Sequence, residues 1–234
     1  MASDGGPRAW AFLRRNPVYG AACREAFGHP ALEVAPFPLR IQSRADRKAF
    51  AWGLLAWEIP DGTGDNPSPF WAGAPTLDGE LGTEAPPLAP LLENAGARLS
   101  GLRLADGRLI LKIENRSQAA QVRLRSGLVH AGLESGVATG LVLRLAFWSG
   151  PMQAIERLQA LASLARGSGR DAPHPVDREL LTVLDARLAG KSWRETAVDL
   201  YGAQRVAAEW HRESWMRARV RRRDKKARFL MEGG

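Results

Sequence analysis

The last forty residues constrain this chain most, because they hold nearly all of its net charge. Between Arg212 and Arg228, nine lysines and arginines stand against two acidic residues, a local net charge of +7. The whole chain of 234 residues has a formal net charge of +8, so all other residues together carry about +1. Positive charge gathered in one short segment is the electrostatic footprint that nucleic-acid binding usually leaves in a sequence.

The basic run also has the pattern of an amphipathic helix from about Ser214 to Leu230. Projected at about 100° per residue, four residues form an inward stripe: Met216, Val220, Ala227 and Met231. The residues that point directly away are Ala218, Arg222 and Lys225, with Arg219, Arg221 and Lys226 on the flanks. Arg217, Arg223 and Asp224 flank the stripe and are expected to form local ion pairs. A helix of this kind fits the major groove, which is about 12 Å wide.

The segment before the basic helix predicts a compact helical scaffold. Ser192 and Glu195 have the spacing of a capping box, and the helix that they open, Trp193–Tyr201, stops at Gly202. An amphipathic helix from Asp177 to Ala189 precedes it. Together with a connector and the basic helix, these are the parts of a helix-turn-helix unit. The expected core residues are Leu181, Leu184, Leu188, Ala197, Leu200, Val206, Trp210, Met216 and Val220.

The DNA contacts are predicted to come mainly from the basic helix. The candidate residues are Arg217, Arg219, Arg221, Arg222, Lys225 and Lys226, with Arg205 as a further candidate. Arginine outnumbers lysine by seven to two in the basic run, which suits bidentate contacts to guanine edges and phosphates. A competing assignment makes the short segment Ala203–Glu209 the reading helix, with Arg205 and His211 at the groove.

The rest of the chain predicts an α+β fold with short N-terminal helices, a small central antiparallel sheet and a C-terminal helical bundle. Two helices are expected up to about Phe27, broken near Pro17, and their inward residues are Trp10, Leu13, Tyr19, Ala22 and Phe27. The expected segments are an N-terminal regulator-like region (1–90), a β region (91–150) and a helical DNA-binding region (151–234). Within the last segment, a leucine-rich helix is expected to begin at Pro151.

The β region centres on an expected hairpin. Asp106-Gly107 is a favoured two-residue type I′ turn, which would pair Leu104 with Leu109 and Leu102 with Leu111. Residues 121–125 and 140–148 read as further strands. Residues 50–59 fit either a strand or a short buried helix. From residue 60 to residue 90 we expect a surface loop pinned to the core by Phe70-Trp71, with Trp71 as a packing anchor rather than a ligand-stacking residue.

Composition and motifs argue against several other classes. No window reaches the roughly 18 apolar residues of a membrane helix, and no signal peptide or membrane anchor is expected. The single cysteine, Cys23, suits core packing in a reducing cytoplasm. The four histidines lie far apart, and neither metal-ligand spacing nor a phosphate-binding glycine loop occurs. We therefore expect no enzyme activity, no catalytic residues, no metal and no cofactor, although a site built from residues distant in sequence stays open.

Four segments of the chain resemble a known family. Residues 10–19 (WAFLRRNPVY), 188–197 (LAGKSWRETA), 201–210 (YGAQRVAAEW) and 219–222 (RVRR) are similar to the RovC-like bacterial transcriptional regulators. The first segment matches the N-terminal regulator-like motif of the family, and the others match its DNA-binding domain. That family pattern usually continues past the glycine pair into an aromatic and basic tail, which the residues here do not include.

The resemblance implies a DNA-binding transcriptional regulator, expected to be an activator acting at promoter DNA. Family members regulate type VI secretion genes or the transfer of integrative conjugative elements, and the family implies a homo-oligomer, with a hexamer as one form. The leading alternative is an interaction protein whose basic helix docks on an acidic partner such as RNA polymerase or a secretion component. A solvated basic face and a membrane surface are further alternatives, but the inward stripe is a poor lipid anchor.

Overall fold

The structure is a computed structural model that describes residues 7–26, 32–34, 38–60, 69–73, 76–82, 97–114, 119–124, 140–144 and 175–233. The helices are α1 (Pro7–Leu13), α2 (Pro17–Ala26), a 3-10 helix (Ala45–Trp52), α3 (Pro175–Leu188), α4 (Trp193–Tyr201), α5 (Ala203–Glu209) and α6 (Trp215–Met231). The strands are β1 (Leu32–Val34), β2 (Pro38–Ile41), β3 (Thr76–Gly82), β4 (Arg98–Arg103), β5 (Leu109–Glu114), β6 (Ala119–Leu124) and β7 (Gly140–Arg144). The predicted α+β class is confirmed.

All seven strands form one sheet, in the order β1-β2-β4-β5-β6-β3-β7. The central trio β4, β5 and β6 pairs antiparallel, as the sequence predicts. The flanking pairs β2–β4 and β6–β3 are parallel, so the sheet is mixed rather than wholly antiparallel. A parallel pair needs a long connection, and β3 lies between β2 and β4 in the chain. Three strands lie before residue 91, so the sheet draws on both segments 1–90 and 91–150.

The β4–β5 hairpin forms where expected but in a different register. Leu102 pairs with Ile110 and Gly101 with Leu111, so the prediction that Leu102 pairs with Leu111 and Leu104 with Leu109 is wrong by one residue. The Leu104 amide donates to the Arg108 carbonyl at 2.8 Å, and the Gly107 amide donates to the Leu104 carbonyl at 2.9 Å. Gly107 has φ +83°. The connection is therefore a three-residue loop closed by a left-handed glycine, not a two-residue type I′ turn.

The proline-rich region from residue 60 to residue 90 is only partly the expected loop, because it contains the internal strand β3. Its anchor is confirmed: Phe70 and Trp71 are each 6% exposed. The Gln121 side chain on β6 fixes this anchor by accepting from the Trp71 amide at 2.7 Å and donating to the Trp71 carbonyl at 2.9 Å. Trp71 also forms an isolated bridge with Leu54, which follows the 3-10 helix. Residues 50–59 therefore contain both helical and extended backbone.

Aromatic packing joins α1, α2 and the 3-10 helix. The buried Tyr19 ring lies 5.9 Å from Trp10, 5.5 Å from Trp52 and 5.7 Å from Trp57, measured between centroids. Cys23 is buried in the same cluster, as predicted, and burial raises the pKa of its thiol. The predicted inward positions Trp10, Leu13 and Tyr19 are buried and Ala22 is half-buried, whereas Phe27 lies outside the described residues.

Several charged side chains are also buried in this half of the molecule. The sequence did not predict their burial. Lys112 on β5 is 1% exposed, lies 3.5 Å from the Glu114 carboxylate and covers the Phe70 ring at 4.6 Å. Burial lowers the pKa of Lys112, and burial raises the pKa of the Glu58 carboxyl. Arg40 donates to the Asp46 carboxylate at 2.9 Å. Pairing of this kind keeps buried charges from being strongly destabilising.

Helix α1 packs on the C-terminal helices. Phe12, 1% exposed, inserts into a cluster with four residues of α3 and α6, namely Leu180, Leu184, Ala227 and Met231. Arg15 donates to both carboxylate oxygens of Asp185, at 2.5 and 3.0 Å. Arg8 forms a second ion pair with Asp177 at 2.9 Å. The opposite face of α1 carries Trp10 into the Tyr19 cluster, so this one helix contacts both halves of the molecule.

Some sequence expectations concern residues or boundaries that the fold does not test. The leucine-rich helix from Pro151 lies outside the described residues, and the three segment boundaries stay predictions. Of the described helices, none has the length and apolar character needed to cross a membrane.

Candidate nucleic-acid interface

The predicted capping box of α4 is confirmed atom by atom. The Ser192 hydroxyl accepts from the Glu195 amide at 3.2 Å, and the Ser192 amide donates to the Glu195 carboxylate at 2.7 Å. Hydrogen bonds to the carboxylate, first from the Ser192 side chain and then from its backbone amide, lower the pKa of the Glu195 carboxyl. At the other end, α4 stops at Gly202, which has φ +85°. The cap and the glycine fix both ends of a nine-residue helix.

The connector after Gly202 is itself helical, which changes the predicted unit. The chain turns at Gly202 directly into α5, a helix of seven residues, instead of crossing to the basic helix in a loop. Val206 of α5 is 1% exposed and packs with Ala197 of α4 and with Met216 and Val220 of α6. The sequence predicts three helices and a connector for the C-terminal scaffold, whereas the structure describes four helices, α3 to α6.

Most of the predicted core of this scaffold is confirmed. Leu184, Ala197, Val206, Met216 and Val220 are buried, and Leu181, Leu200 and Trp210 pack against the buried residues. Leu188 is 40% exposed, so its assignment to the core is wrong. It occupies the last position of α3, where the chain already turns away toward Gly190. Val183, fully buried, was missed because it lies between the two rows of leucines that were used to orient α3.

Helix α6 lies with its predicted seam inward. The Ser214 hydroxyl caps it by accepting from the Met216 amide at 3.3 Å. The four residues of the inward stripe are all 5% exposed or less: Met216, Val220, Ala227 and Met231. Asp224, 9% exposed, is paired with Arg228 at 3.1 Å. The buried seam fixes the rotation of α6 about its axis, and hence which cations face water.

The predicted contact residues of α6 divide into free and engaged cations. Arg221, Arg222, Lys225 and Lys226 are exposed, and none has an ion-pair partner in the described part of the chain. Arg217, expected to form a local ion pair, is half-buried and has none there either. The four exposed residues, Arg221, Arg222, Lys225 and Lys226, form a strip of free cations on the side of α6 away from the seam.

The engaged cations are held by one acidic residue of α3. Glu179 forms an ion pair with Arg223 and lies 3.6 Å from the Arg219 guanidinium. The local ion pair expected for Asp224 is present, with Arg228, whereas Arg223 pairs with Glu179 of α3 instead of a neighbour on its own helix. Arg219 also lies over the Trp215 ring, 6.0 Å from its centroid.

Arg205 of α5 lies in a separate network at the α5–α6 corner. It pairs with Glu209 at 3.1 Å and covers the Trp215 ring at 5.4 Å. Glu209 also accepts from the Trp215 indole nitrogen at 3.0 Å, and the two hydrogen bonds, first that of Trp215 and then that of Arg205, lower the pKa of its carboxyl. The structure therefore separates Arg205 from the strip of free cations. His211, the other residue of the competing assignment, is exposed.

Trp193 is a residue of this surface that sequence reasoning missed. Its ring lies between two cations, 4.1 Å from the Arg187 guanidinium and 5.9 Å from the Arg221 guanidinium. Cation–π contacts of this kind orient an arginine without neutralising it. The sequence shows a tryptophan directly after the cap residue, but the cations near its ring are set by the packing of α3, α4 and α6.

The described residues give no sign of metal chemistry. Within the described ranges, no group of three or more His, Cys, Asp or Glu side chains is placed to hold a metal ion. The only histidine in those ranges is His211.

Helices α3 to α6 and their cationic strip lie in the part of the chain that matches a known domain. Residues 146–234 match a family model, RovC_DNA-bd, described as "T6SS, Transcription factor, DNA binding domain". This C-terminal region is therefore similar to the RovC-type DNA-binding domains, and the match supports a DNA-binding transcriptional regulator. The match confirms the resemblance carried by residues 188–222, while residues 10–19 lie outside it. Among curated proteins, none matches the chain.

Proposed function

We propose that this regulator binds promoter DNA in the cytoplasm by placing α6 in the major groove, with α3, α4 and α5 as the scaffold of a helix-turn-helix-type unit. The observation that carries the proposal is the strip of unpaired cations opposite the buried seam of α6. Arg222 and Lys225 are exposed on the side of α6 away from the buried seam, where base edges would lie. Arg217, Arg219, Arg221 and Lys226 flank them, at the positions of the phosphate backbones.

The competing assignment places α5 in the groove. Two features favour α6 over α5: α5 has seven residues, and its Arg205 is already paired with Glu209. We propose that Arg205 supports the interface as a phosphate contact near the start of α6 rather than as a base-reading residue.

The proposal predicts that Arg222→Glu abolishes detectable retardation of duplex DNA from the chain's own genomic neighbourhood. Reversal replaces an attraction by a repulsion at the centre of the strip, and one good base contact alone contributes about 1–3 kcal/mol of discrimination. The matched control is Lys48→Glu, the same charge reversal at an exposed site on the 3-10 helix. Binding that survives Arg222→Glu but is lost in Arg205→Glu would move the reading helix to α5.

A protein partner is the second candidate, and one observation favours it. Phe229 is 62% exposed on the basic face of α6, and exposed aromatic rings are enriched at protein interfaces. An acidic surface, such as one on RNA polymerase, would suit this face. If the native chain fails to retard duplex DNA at about 1 µM protein and low salt, where even non-specific binders show affinity, this candidate replaces DNA reading by α6.

We also propose that the regulator activates transcription and acts as a homo-oligomer, with a hexamer as the first form to test. Support for these points comes from the RovC-like sequence resemblance. Light scattering coupled to size-exclusion chromatography measures the mass directly, and a mass of one chain across the accessible concentrations would overturn the oligomer.

A further inference from the structure

An open cleft of about 340 Å³ lies between α3 and α6. One wall is Leu180 of α3, and the other residues that line it are four cations of α6: Arg219, Arg222, Arg223 and Lys226. Apart from the adjacent pair Arg222 and Arg223, these positions differ by three, four or seven residues, so the four cations lie on one side of the helix. Leu180 is 1% exposed and belongs to the core cluster with Phe12, so this wall of the cleft is anchored in the core.

The charges around this cleft are not balanced in the free protein. In the described part of the chain, Glu179 is the one acidic side chain that pairs with residues lining the cleft. It contacts Arg223 most closely. Four positive charges and one negative charge leave a net charge of +3 at the cleft. Like charges three or four residues apart on a helix repel each other. A bound anion would relieve that repulsion.

Two of the cations are already held in place. The Arg223 side chain is 14% exposed and is fixed by its ion pair with Glu179. Arg219 is positioned by Glu179 at 3.6 Å and by the Trp215 ring at 6.0 Å. Arg222 and Lys226 remain exposed and unpaired within the described ranges. The cleft thus combines fixed guanidinium groups with free donors, an arrangement that lowers the entropy lost on binding a tetrahedral oxyanion.

We propose that this cleft binds a phosphate group, with Arg219 and Lys226 as donors, Arg223 as the fixed wall and Arg222 at the rim. In the DNA complex the group is a backbone phosphate of the strand that runs beside α3. A phosphate held there sets the depth and register of α6 in the groove, because phosphate contacts position a protein on the duplex. The assignment to DNA rests on the proposed function, whereas the affinity of the cleft for phosphate does not.

The first test measures the affinity of the full chain for duplex DNA against salt concentration, by fluorescence anisotropy. Each neutralised phosphate contributes about 0.9 to the slope of log K against log salt. We expect Lys226→Gln to reduce that slope by about 0.9 and to weaken binding equally on all duplex sequences. The control Lys48→Gln removes the same charge from the 3-10 helix and should leave the slope unchanged.

The second test needs no DNA. Inorganic phosphate is titrated into the full chain at constant ionic strength, and amide chemical shifts are recorded by NMR. We expect saturable shifts confined to residues around the cleft, absent from a variant that carries both Arg222→Gln and Lys226→Gln. Circular dichroism verifies that this variant keeps its helices.

The outcomes separate the sources of the phosphate. Saturable shifts together with the reduced slope support a DNA phosphate in the cleft. Saturable shifts with an unchanged slope support the phosphate site but assign it to a free phosphate-bearing molecule. Shifts that rise linearly over the whole surface, together with a slope like that of Lys48→Gln, overturn the proposal. A native chain that binds no duplex refutes the proposed function, and the phosphate titration still decides the cleft.

Discussion

Asn16 joins two helix ends through one side chain. Its carbonyl oxygen accepts from the amides of Val18 and Tyr19 at 2.9 and 3.2 Å, which caps α2. Its amide nitrogen donates to the Met231 carbonyl at 3.3 Å, at the end of α6. Both partners are backbone groups that helix geometry leaves without an intrahelical bond. Because Asn16 is 6% exposed, water cannot readily replace it.

We expect Asn16→Ala to lower the free energy of unfolding by about 1–3 kcal/mol, since it removes a cap and leaves buried polar groups unsatisfied. Urea denaturation of the full chain measures this change. Asn16→Asp separates the two roles, because a carboxylate still caps α2 but cannot donate to Met231. If Asn16→Asp is as stable as the native chain, the bond to α6 contributes nothing.

At the scale of the element, caps, helix ends and the buried helix face were predicted correctly from the sequence. The pairing of strands that are far apart in the chain was not. The Ser192 cap, the Gly202 stop and the inward seam of α6 follow from short-range spacing, and all are found. The parallel pairing of β2 with β4 has no local signature, because it depends on how segments about 60 residues apart pack. The turn at Gly107 was located, but its loop length was not, since Asp-Gly is compatible with both hairpin types. For the candidate site, the free cations could be predicted from the sequence. The ion pairs of Glu179 could not, because they depend on how α3 packs on α6.

The start of α4 carries a pH-dependent prediction. Glu195 has a pKa below its usual value because its carboxylate accepts hydrogen bonds at Ser192. A lowered folded-state pKa stabilises the fold above the unfolded-state pKa, and this contribution is lost as pH falls through the folded-state value. We expect Glu195→Gln to be less stable than the native chain at pH 7, with the difference shrinking below about pH 4.5, the ordinary carboxyl value.

Chemical denaturation at a series of pH values tests this prediction. Glu232→Gln, an exposed carboxylate at the end of α6, is the control and should show no comparable trend. A stability difference for Glu195→Gln that stays constant between pH 7 and pH 3 would contradict the assigned role of the cap.

At the scale of the whole molecule, α1 connects the DNA-binding helices to the half of the chain that contains the sheet. Phe12 enters the core of α3 and α6, while Trp10 enters the aromatic cluster around Tyr19. Arg15 and Asp185 add a bidentate ion pair across the same junction. The residues matched by the DNA-binding family begin at 146, so part of the core of that domain comes from outside the match. The two halves are therefore expected to unfold together.

We expect Phe12→Ala to lower the free energy of unfolding by about 3–5 kcal/mol, the usual range for truncating a buried phenylalanine. Denaturation followed by circular dichroism measures the loss. Val18→Ala, at a site 64% exposed on α2, is the control and should change stability by no more than about 0.5 kcal/mol. A loss at Phe12 as small as that of the control would show that α1 is not part of the core.

The contact between α1 and α6 also sets an order of events on the ribosome. Asn16 and Met231 are 215 positions apart in the chain. At about 5–20 residues per second, translation takes roughly 10–40 s to cover that interval. Through that time the Phe12 side of α1 lacks its partners on α6, Ala227 and Met231. Folding of the regulator must therefore finish after α6 has left the exit tunnel, and the first helix to be made is among the last to be buried.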